Sequence, residues 1–259
     1  MLGASGLVGQ ASLELFEKRG IVVIAPSRQD FEVRQNETTI SSILLDEMNK
    51  YPIIDVLHSD EWHSENETKI QKNYIAEIAS RLGTIKREKP YVYFSSGALY
   101  GSNSSMITSD SPINVMNSYA EYKLMMENVC RTKFDNHKIF RLFFPYGQLQ
   151  GKNRLIPQMI GKIQNRLPIS CNQDGGPSLS IIDVRDVAQI LFEELLTPWI
   201  GTKNIAGGEI IKIKDLADIL GESIGVEPIF EINLEYQKSY IAAPYDKRLW
   251  RQISVERNF

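Results

Sequence analysis

Cysteine is scarce in this chain: there are 2, Cys130 and Cys171. That excludes a disulfide framework and any C-x-x-C metal pattern, and it makes a reducing, cytoplasmic home the expectation. Histidine is nearly as rare, at 3. His58 and His63 fall in an acidic stretch with nothing to complete a ligand set, so no metal is expected. No apolar run reaches the ~18 residues that a membrane span needs. The opening residues lack both a charged n-region and a long apolar core, so a signal peptide is not expected. Charge of one sign is lacking too: Lys+Arg 29 against Asp+Glu 32 gives a formal net charge of −3. The basic residues are scattered, which leaves no footprint for nucleic acid. Repeats and low-complexity tracts are absent.

What is present is ordinary globular material, 42% hydrophobic and 24% charged over 259 residues. That length buries a substantial core and suits one large α/β domain, or a domain with a smaller lobe. The chain opens "MLGASGLVGQASLELFEKRG", where Gly3, Gly6 and Gly9 precede a helical stretch that stops at Gly20. "IVVIAPS" (21–27) reads as a strand, "TTISSILLDEMNK" (38–50) as a helix and "IIDVLH" (53–58) as a strand. Residues 65–88 read as a helix, "YVYFSSGALYG" (91–101) as a strand entering a turn, 117–134 as a helix and "KIFRLFFPYG" (138–147) as a strand. Such alternation predicts a doubly wound, Rossmann-type α/β fold with a parallel sheet. Ligands of these sheets bind at the carboxyl ends of the strands, where Gly3–Gly9, Ser27–Arg28, Ser95–Ser96 and Pro145–Tyr146 fall.

From about residue 147 the rhythm changes. The expected division is a dinucleotide-binding domain over 1–146, a smaller C-terminal substrate lobe over 147–178 and 207–259, and a return to the sheet over 179–206. One feature is unusual. Only Met1 and Leu2 precede Gly3, whereas a strand commonly takes about five residues. Either the first strand is a stub, or the sequence begins inside it.

"NSYAEYK" (117–123) carries the candidate chemistry. Tyr119 and Lys123 are four apart and share a helix face, while Tyr122 points elsewhere. The bland reading is a lysine stem covering an aromatic ring. A glycine loop opening the first βα unit favours a dinucleotide site instead, because backbone N–H groups at a helix N-terminus suit a pyrophosphate. With "GASGLVG", "YVYFSSGALYG", "SYAEYK", "FRLFFPYG", "IIDVRDVAQIL" and "NIAGGEIIKIKDLADILGESIGV" in this order, the sequence resembles the extended short-chain dehydrogenase/reductase family. Within it the resemblance is to the branch of nucleotide-sugar epimerases, dehydratases and ketoreductases.

The resemblance implies roles. Tyr119 is the acid/base, Lys123 holds the nicotinamide ribose, and Ser96 binds the substrate oxygen; Gly97 and Arg154 join Ser96 and Tyr119 on the substrate side. Cofactor contacts are expected from Gly3, Ser5, Gly6, Leu7, Val8 and Gly9, then from Ser27, Arg28, His58, Asn73, Ser95, Tyr119, Lys123 and Phe144. The chemistry is sound on residue properties alone. A free tyrosine titrates near ~10, and an adjacent ammonium favours its phenolate. There are departures as well: Phe144 stands where the family often has asparagine, and Leu179 lies near the place of a diphosphate-gripping arginine. A dehydratase would carry an Asp-Glu pair after the catalytic hydroxyl, but Gly97 and Ala98 follow Ser96.

Arg28 follows the second expected strand where NAD enzymes often place aspartate, which favours NADP over NAD. The leading expectation is an NADP(H)-dependent 4-ketoreductase of a nucleotide sugar, with or without epimerisation. The alternatives are an NAD-retaining 4-epimerase and a non-catalytic dinucleotide-sensing protein. The resemblance also implies a homodimer through the helices at 65–88 and 117–134.

Overall fold

Strands rich in β-branched and aromatic residues come together as a parallel sheet. The computed structural model describes residues 1–26, 31–34, 37–40, 46–48, 50–57, 88–102, 105–208, 210–234 and 239–242, with backbone alone at 31–34 and 37–40. A short antiparallel pair comes first, β1 (Phe31–Arg34) with β2 (Glu37–Ile40). The main sheet follows: β3 (Ile53–Asp55), β4 (Tyr91–Ser96), β5 (His137–Leu142) and, after the lobe, β10 (Gly201–Ile205). Its order is β10-β5-β4-β3 and every pair is parallel.

The sheet is covered on both faces, and the side-chain alternation of β4 shows how. Successive residues of a strand point to opposite faces. Tyr91 and Tyr93 therefore join Ile53 and Ile139 in one core, closed by Tyr122, Met126, Cys130 and Phe134 of the segment around α2 (Ser118–Lys133). Val92 and Phe94 join Ile54, Val56 and Phe140 in the other, closed by Phe16 of α1 (Leu7–Lys18) and by Val187, Ile190 and Leu191 of α4 (Val184–Leu195). A strand buried on both sides needs the near-continuous apolar run that β4 has.

The lobe is built on its own core. Helix α3 (Leu155–Gln164) contributes Ile156, Met159 and Ile163, and α5 (Ile213–Ile224) contributes Leu216, Ala217 and Leu220. Around them run β6 (Pro145–Tyr146) parallel to β9 (Ile182–Asp183), and β7 (Ile169–Cys171) parallel to β12 (Phe230–Ile232). The third pair, β8 (Ser178–Ser180) with β11 (Ile210–Lys212), is antiparallel. No helix among the described residues is long and apolar enough to cross a membrane.

Two expected elements differ. The helix expected over 38–50 gives way at its start to β2, since Thr38, Thr39 and Ile40 are β-branched and pair with β1. The strand expected over 21–27 is not formed in its described part, 21–26. Its neighbour in the sheet would be the first strand, and that strand is one bridge, Leu2 with Asp55. Leu2 donates to Ile54 O at 2.8 Å and accepts from Val56 N at 3.1 Å, and Met1 N reaches Ile24 O at 2.5 Å. With so little to pair against, Val22 stays 93% exposed. The helix expected at 65–88 lies outside the described residues, apart from its last position.

The start of α2 bears on the site, because Tyr119 lies in its first turn. Asn117 caps that turn, accepting from Ala120 N at 2.9 Å. Asn117→Ala is expected to cost about 1 kcal/mol. Asn117→Asp should restore most of it, and urea denaturation of the three proteins checks both.

Candidate active site

The glycine loop is shaped by contacts that no side chain would survive. Gly3 turns at φ 77°, and a Cβ on Gly9 would sit 2.4 Å from the Gly3 carbonyl oxygen. Gly6 N closes the loop on that same oxygen at 3.1 Å. Helix α1 then starts with Gly6 at its N-cap, no side-chain cap and no acidic residue in its first turn. The N–H groups of Leu7, Val8 and Gly9 lie at the positive end of the helix, an arrangement that favours an anion. Ser5 is exposed and engages through its carbonyl, which accepts from Gln10 Nε2 at 2.8 Å. A loop this tight, at an uncapped helix end, fits a dinucleotide pyrophosphate.

Strand β4 delivers Ser95 and Ser96 to different faces. Ser95 is buried, paired in register with Arg141. Ser96 is half-buried and its hydroxyl accepts from Ala98 N at 3.1 Å, which starts a single 3-10 turn over Gly97–Tyr100. A Cβ on Gly97 would meet the Phe143 ring at 2.5 Å. That ring is almost wholly buried, so glycine is the residue that fits.

Helix α2 brings Tyr119 and Lys123 to the same end of the sheet. Tyr119 is half-buried, whereas Lys123 is only 3% exposed. The Lys123 ammonium donates to Phe94 O at 2.9 Å and lies 6.0 Å from the centre of the Tyr119 ring. Phe94 is two residues before Ser96, so one hydrogen bond joins the helix pair to the serine strand. Burial pushes Lys123 down to about 8, with Asp55 opposing and Arg154 adding to the fall. Arg154, half-buried at the N-cap of α3, therefore acts on the same place. Tyr122 faces the sheet and is buried.

Phe144 packs both on the lobe core and on the cluster of Tyr100 and Phe143 next to the turn after Ser96. Its ring meets Tyr240 edge-on at 5.8 Å in the lobe, and its backbone holds φ 36°, a region where asparagine is commoner than an aromatic. Leu179 is 2% exposed within the lobe core, surroundings that would penalise a charge. Ser27, Arg28, His58 and Asn73 lie outside the described residues. An apolar cavity of about 320 Å³ opens beside Met1, Leu2, Ile24, Met48 and Ile53. None of Ser96, Tyr119 or Lys123 lines it.

One group was not foreseen. Glu127 is fully buried, one turn beyond Lys123. Arg141 grips it with two bonds, Nε to Oε1 at 2.8 Å and Nη2 to Oε2 at 2.7 Å, and Arg131 adds a third at 2.6 Å. Burial drives the Glu127 carboxyl up, but Arg141, Ser95 and Arg131 together outweigh it and hold the group below its usual range. Arg141 also donates to the Tyr100 hydroxyl at 2.7 Å, which donates to Asn204 Oδ1 at 2.8 Å. The available signal was Arg141 set among Ile139, Phe140 and Leu142 of β5.

Comparison with known proteins adds the lineage. The chain resembles dTDP-4-dehydrorhamnose reductase from Clostridium acetobutylicum in structure, with a TM-score of 0.74 at 18% identity over 94% of this chain and 89% of that one. It also resembles UDP-glucuronic acid 4-epimerase from Bacillus cereus, solved with NAD, at TM-score 0.74, 16% identity, 98% of this chain and 91% of that one. UDP-glucose 4-epimerase from Thermus thermophilus, solved with NAD, gives 0.68, 15%, 95% and 89%. At such identities the likeness speaks for the fold. The family profile speaks for descent: that of the NAD dependent epimerase/dehydratase family matches residues 1–198. The chain belongs to the NAD-dependent epimerase/dehydratase family.

Proposed function

We propose that this protein is an NADP(H)-dependent 4-ketoreductase acting on a nucleotide-activated sugar, with residues 147–178 and 207–259 as its substrate lobe. The observation that carries the reading is the Lys123 bond to Phe94 O, which gathers Tyr119, Lys123 and Ser96 at one end of β4. When bound, the nicotinamide cofactor supplies the hydride. Every other task falls to this chain. The Lys123 ammonium favours the tyrosinate of Tyr119, so Tyr119 exchanges a proton with the C4 oxygen of the sugar. Ser96 donates to the same oxygen as charge gathers there. Gly97 brings its backbone beside it, and Arg154, at the N-cap of α3, is assigned to the diphosphate. Elimination of water needs an acid after Ser96, and Gly97–Ala98 provide none.

A second reading, an NAD-retaining 4-epimerase, draws on the neighbours. The Bacillus cereus 4-epimerase has been solved with UDP-glucuronic acid and NAD. The two readings share Tyr119, Lys123 and Ser96 and part on the cofactor. Arg28 favours NADP, since a guanidinium makes two bonds to a 2′-phosphate and fewer to a hydroxyl. The dimer belongs to this proposal as well: Leu124, Met125 and Val129 are half-buried on α2, while Met126 is spent in the core.

Three measurements test this. Tyr119→Phe should cut the turnover of NADPH oxidation with 4-keto nucleotide sugars by at least ~10²-fold and leave dinucleotide affinity nearly unchanged; near-wild-type turnover would remove Tyr119 from the chemistry. By calorimetry, NADPH should bind more tightly than NADH by about 1–2 kcal/mol, and Arg28→Ala should erase most of that difference. Equal affinities, or tighter NADH, would turn the choice to the epimerase. Sedimentation at tens of micromolar should give a dimer, and a monomer would overturn the pairing of helices 65–88 and 117–134.

A further inference from the structure

On the sheet face covered by α2, a second charged group besides Arg141 stands where the pattern asks for an apolar one. Asp55 ends β3 with 0% exposure, paired in register with Tyr93 of β4. Cross-strand partners project to the same face, so its carboxylate lies under α2 together with Tyr91 and Tyr93. The Tyr91 hydroxyl donates to Oδ2 at 2.7 Å and Leu57 N to Oδ1 at 3.0 Å. These neutral donors satisfy the carboxylate without neutralising it. Lys123 descends from the other side, its ammonium 4.9 Å from the centre of the Tyr93 ring. Desolvation drives the Asp55 carboxyl up and the Lys123 ammonium down, and each group opposes the shift of the other.

We propose that Asp55 is a positioning residue for Lys123: a carboxylate buried beside Tyr93 keeps the ammonium charged and seated at the end of β4. The other groups facing Lys123 do not supply this. Glu127 is spent on Arg141 and Arg131, and burial keeps the Cys130 thiol protonated. Tyr93 and Tyr119 present rings, and Arg154 repels the ammonium. The Met1 amino group also faces Asp55, but burial pushes it down to about 6, so it adds little charge at neutral pH. A buried ammonium without a counter-charge sheds its proton at lower pH, and a neutral Lys123 would no longer favour the tyrosinate. The inference rests on the reading above only in giving Lys123 a cofactor-side task.

The test therefore reads Lys123 directly. The full chain carrying 13Cε-labelled lysine is titrated by NMR, with the Lys123 signal assigned through Lys123→Arg. Asp55→Asn, close to isosteric, should lower the Lys123 midpoint by ~1 pH unit or more. A lysine is charged below its midpoint, so the charge is then lost at lower pH, and the alkaline limb of kcat/KM should move the same way. Tyr91→Phe removes a donor that favours the carboxylate and should move the midpoint in the same direction by less. An unmoved midpoint in folded Asp55→Asn overturns the proposal; should that variant not fold, an unmoved midpoint in Tyr91→Phe does so. A shifted midpoint in a protein that reduces no 4-keto nucleotide sugar supports Asp55 and overturns the reductase instead.

Discussion

A carboxylate and a guanidinium, both taken almost wholly out of water, fix where α2 sits on the sheet. Glu127 and Arg141 join helix to strand by two parallel bonds, and Arg141 reaches on through Tyr100 to Asn204 of β10. Breaking a buried pair by removing one member typically costs about 3–5 kcal/mol, because the survivor is left charged and unpaired. The apolar contacts of α2 hold it against the sheet but tolerate sliding. The ion pair does not, since a forked donor meets a carboxylate in one geometry. Tyr119 and Lys123 ride on that helix, and Tyr100 ends the turn that follows Ser96. The same charge pair thus sets both sides of the candidate site.

The glycines act in the opposite sense, by leaving space. At the first loop the Gly9 backbone lies against Gly3, so α1 begins close under the crevice with its amide groups exposed to it. At Gly97 the space is taken by Phe143, which follows β5. The first contact lies within one loop and the second joins segments far apart in sequence; in both, a side chain on the glycine would stand in the way. A crevice for a long, anionic ligand needs this nearness of main chain at one end and buried charge at the other.

Much of this was legible in the residues. The spacing of Gly3, Gly6 and Gly9, the alternating strands and helices, and the i, i+4 pair of Tyr119 and Lys123 are local patterns, and local patterns survive without coordinates. The failures have a common cause. Thr38–Ile40 lies at the start of a stretch with helical spacing, and its strand depends on pairing with Phe31–Arg34. Residues 21–26 have strand composition, yet a strand needs a ladder of partners, and the bond that joins this segment to the first strand is that of Met1 N to Ile24 O. Glu127 and Arg141 are fourteen positions apart on different elements. Asp55 looked like one polar residue in an apolar run, and nothing in its neighbours along the chain placed it beneath Lys123. Ion pairs and buried charges are properties of the folded arrangement, whereas periodicity is a property of the chain.

The ring of Phe143 against Gly97 reaches beyond packing into evolutionary reach. Within this family, dehydratases differ from reductases by acids just after the catalytic hydroxyl. Introducing aspartate at position 97 here would drive its Cβ into a ring that is itself 2% exposed. A smaller residue at 143 would have to come first, and that step opens a cavity under the site with a cost of about 3–5 kcal/mol. A side chain at position 97 therefore requires the Phe143 ring to move or shrink. One aromatic side chain after β5 thus limits what the turn after Ser96 can carry.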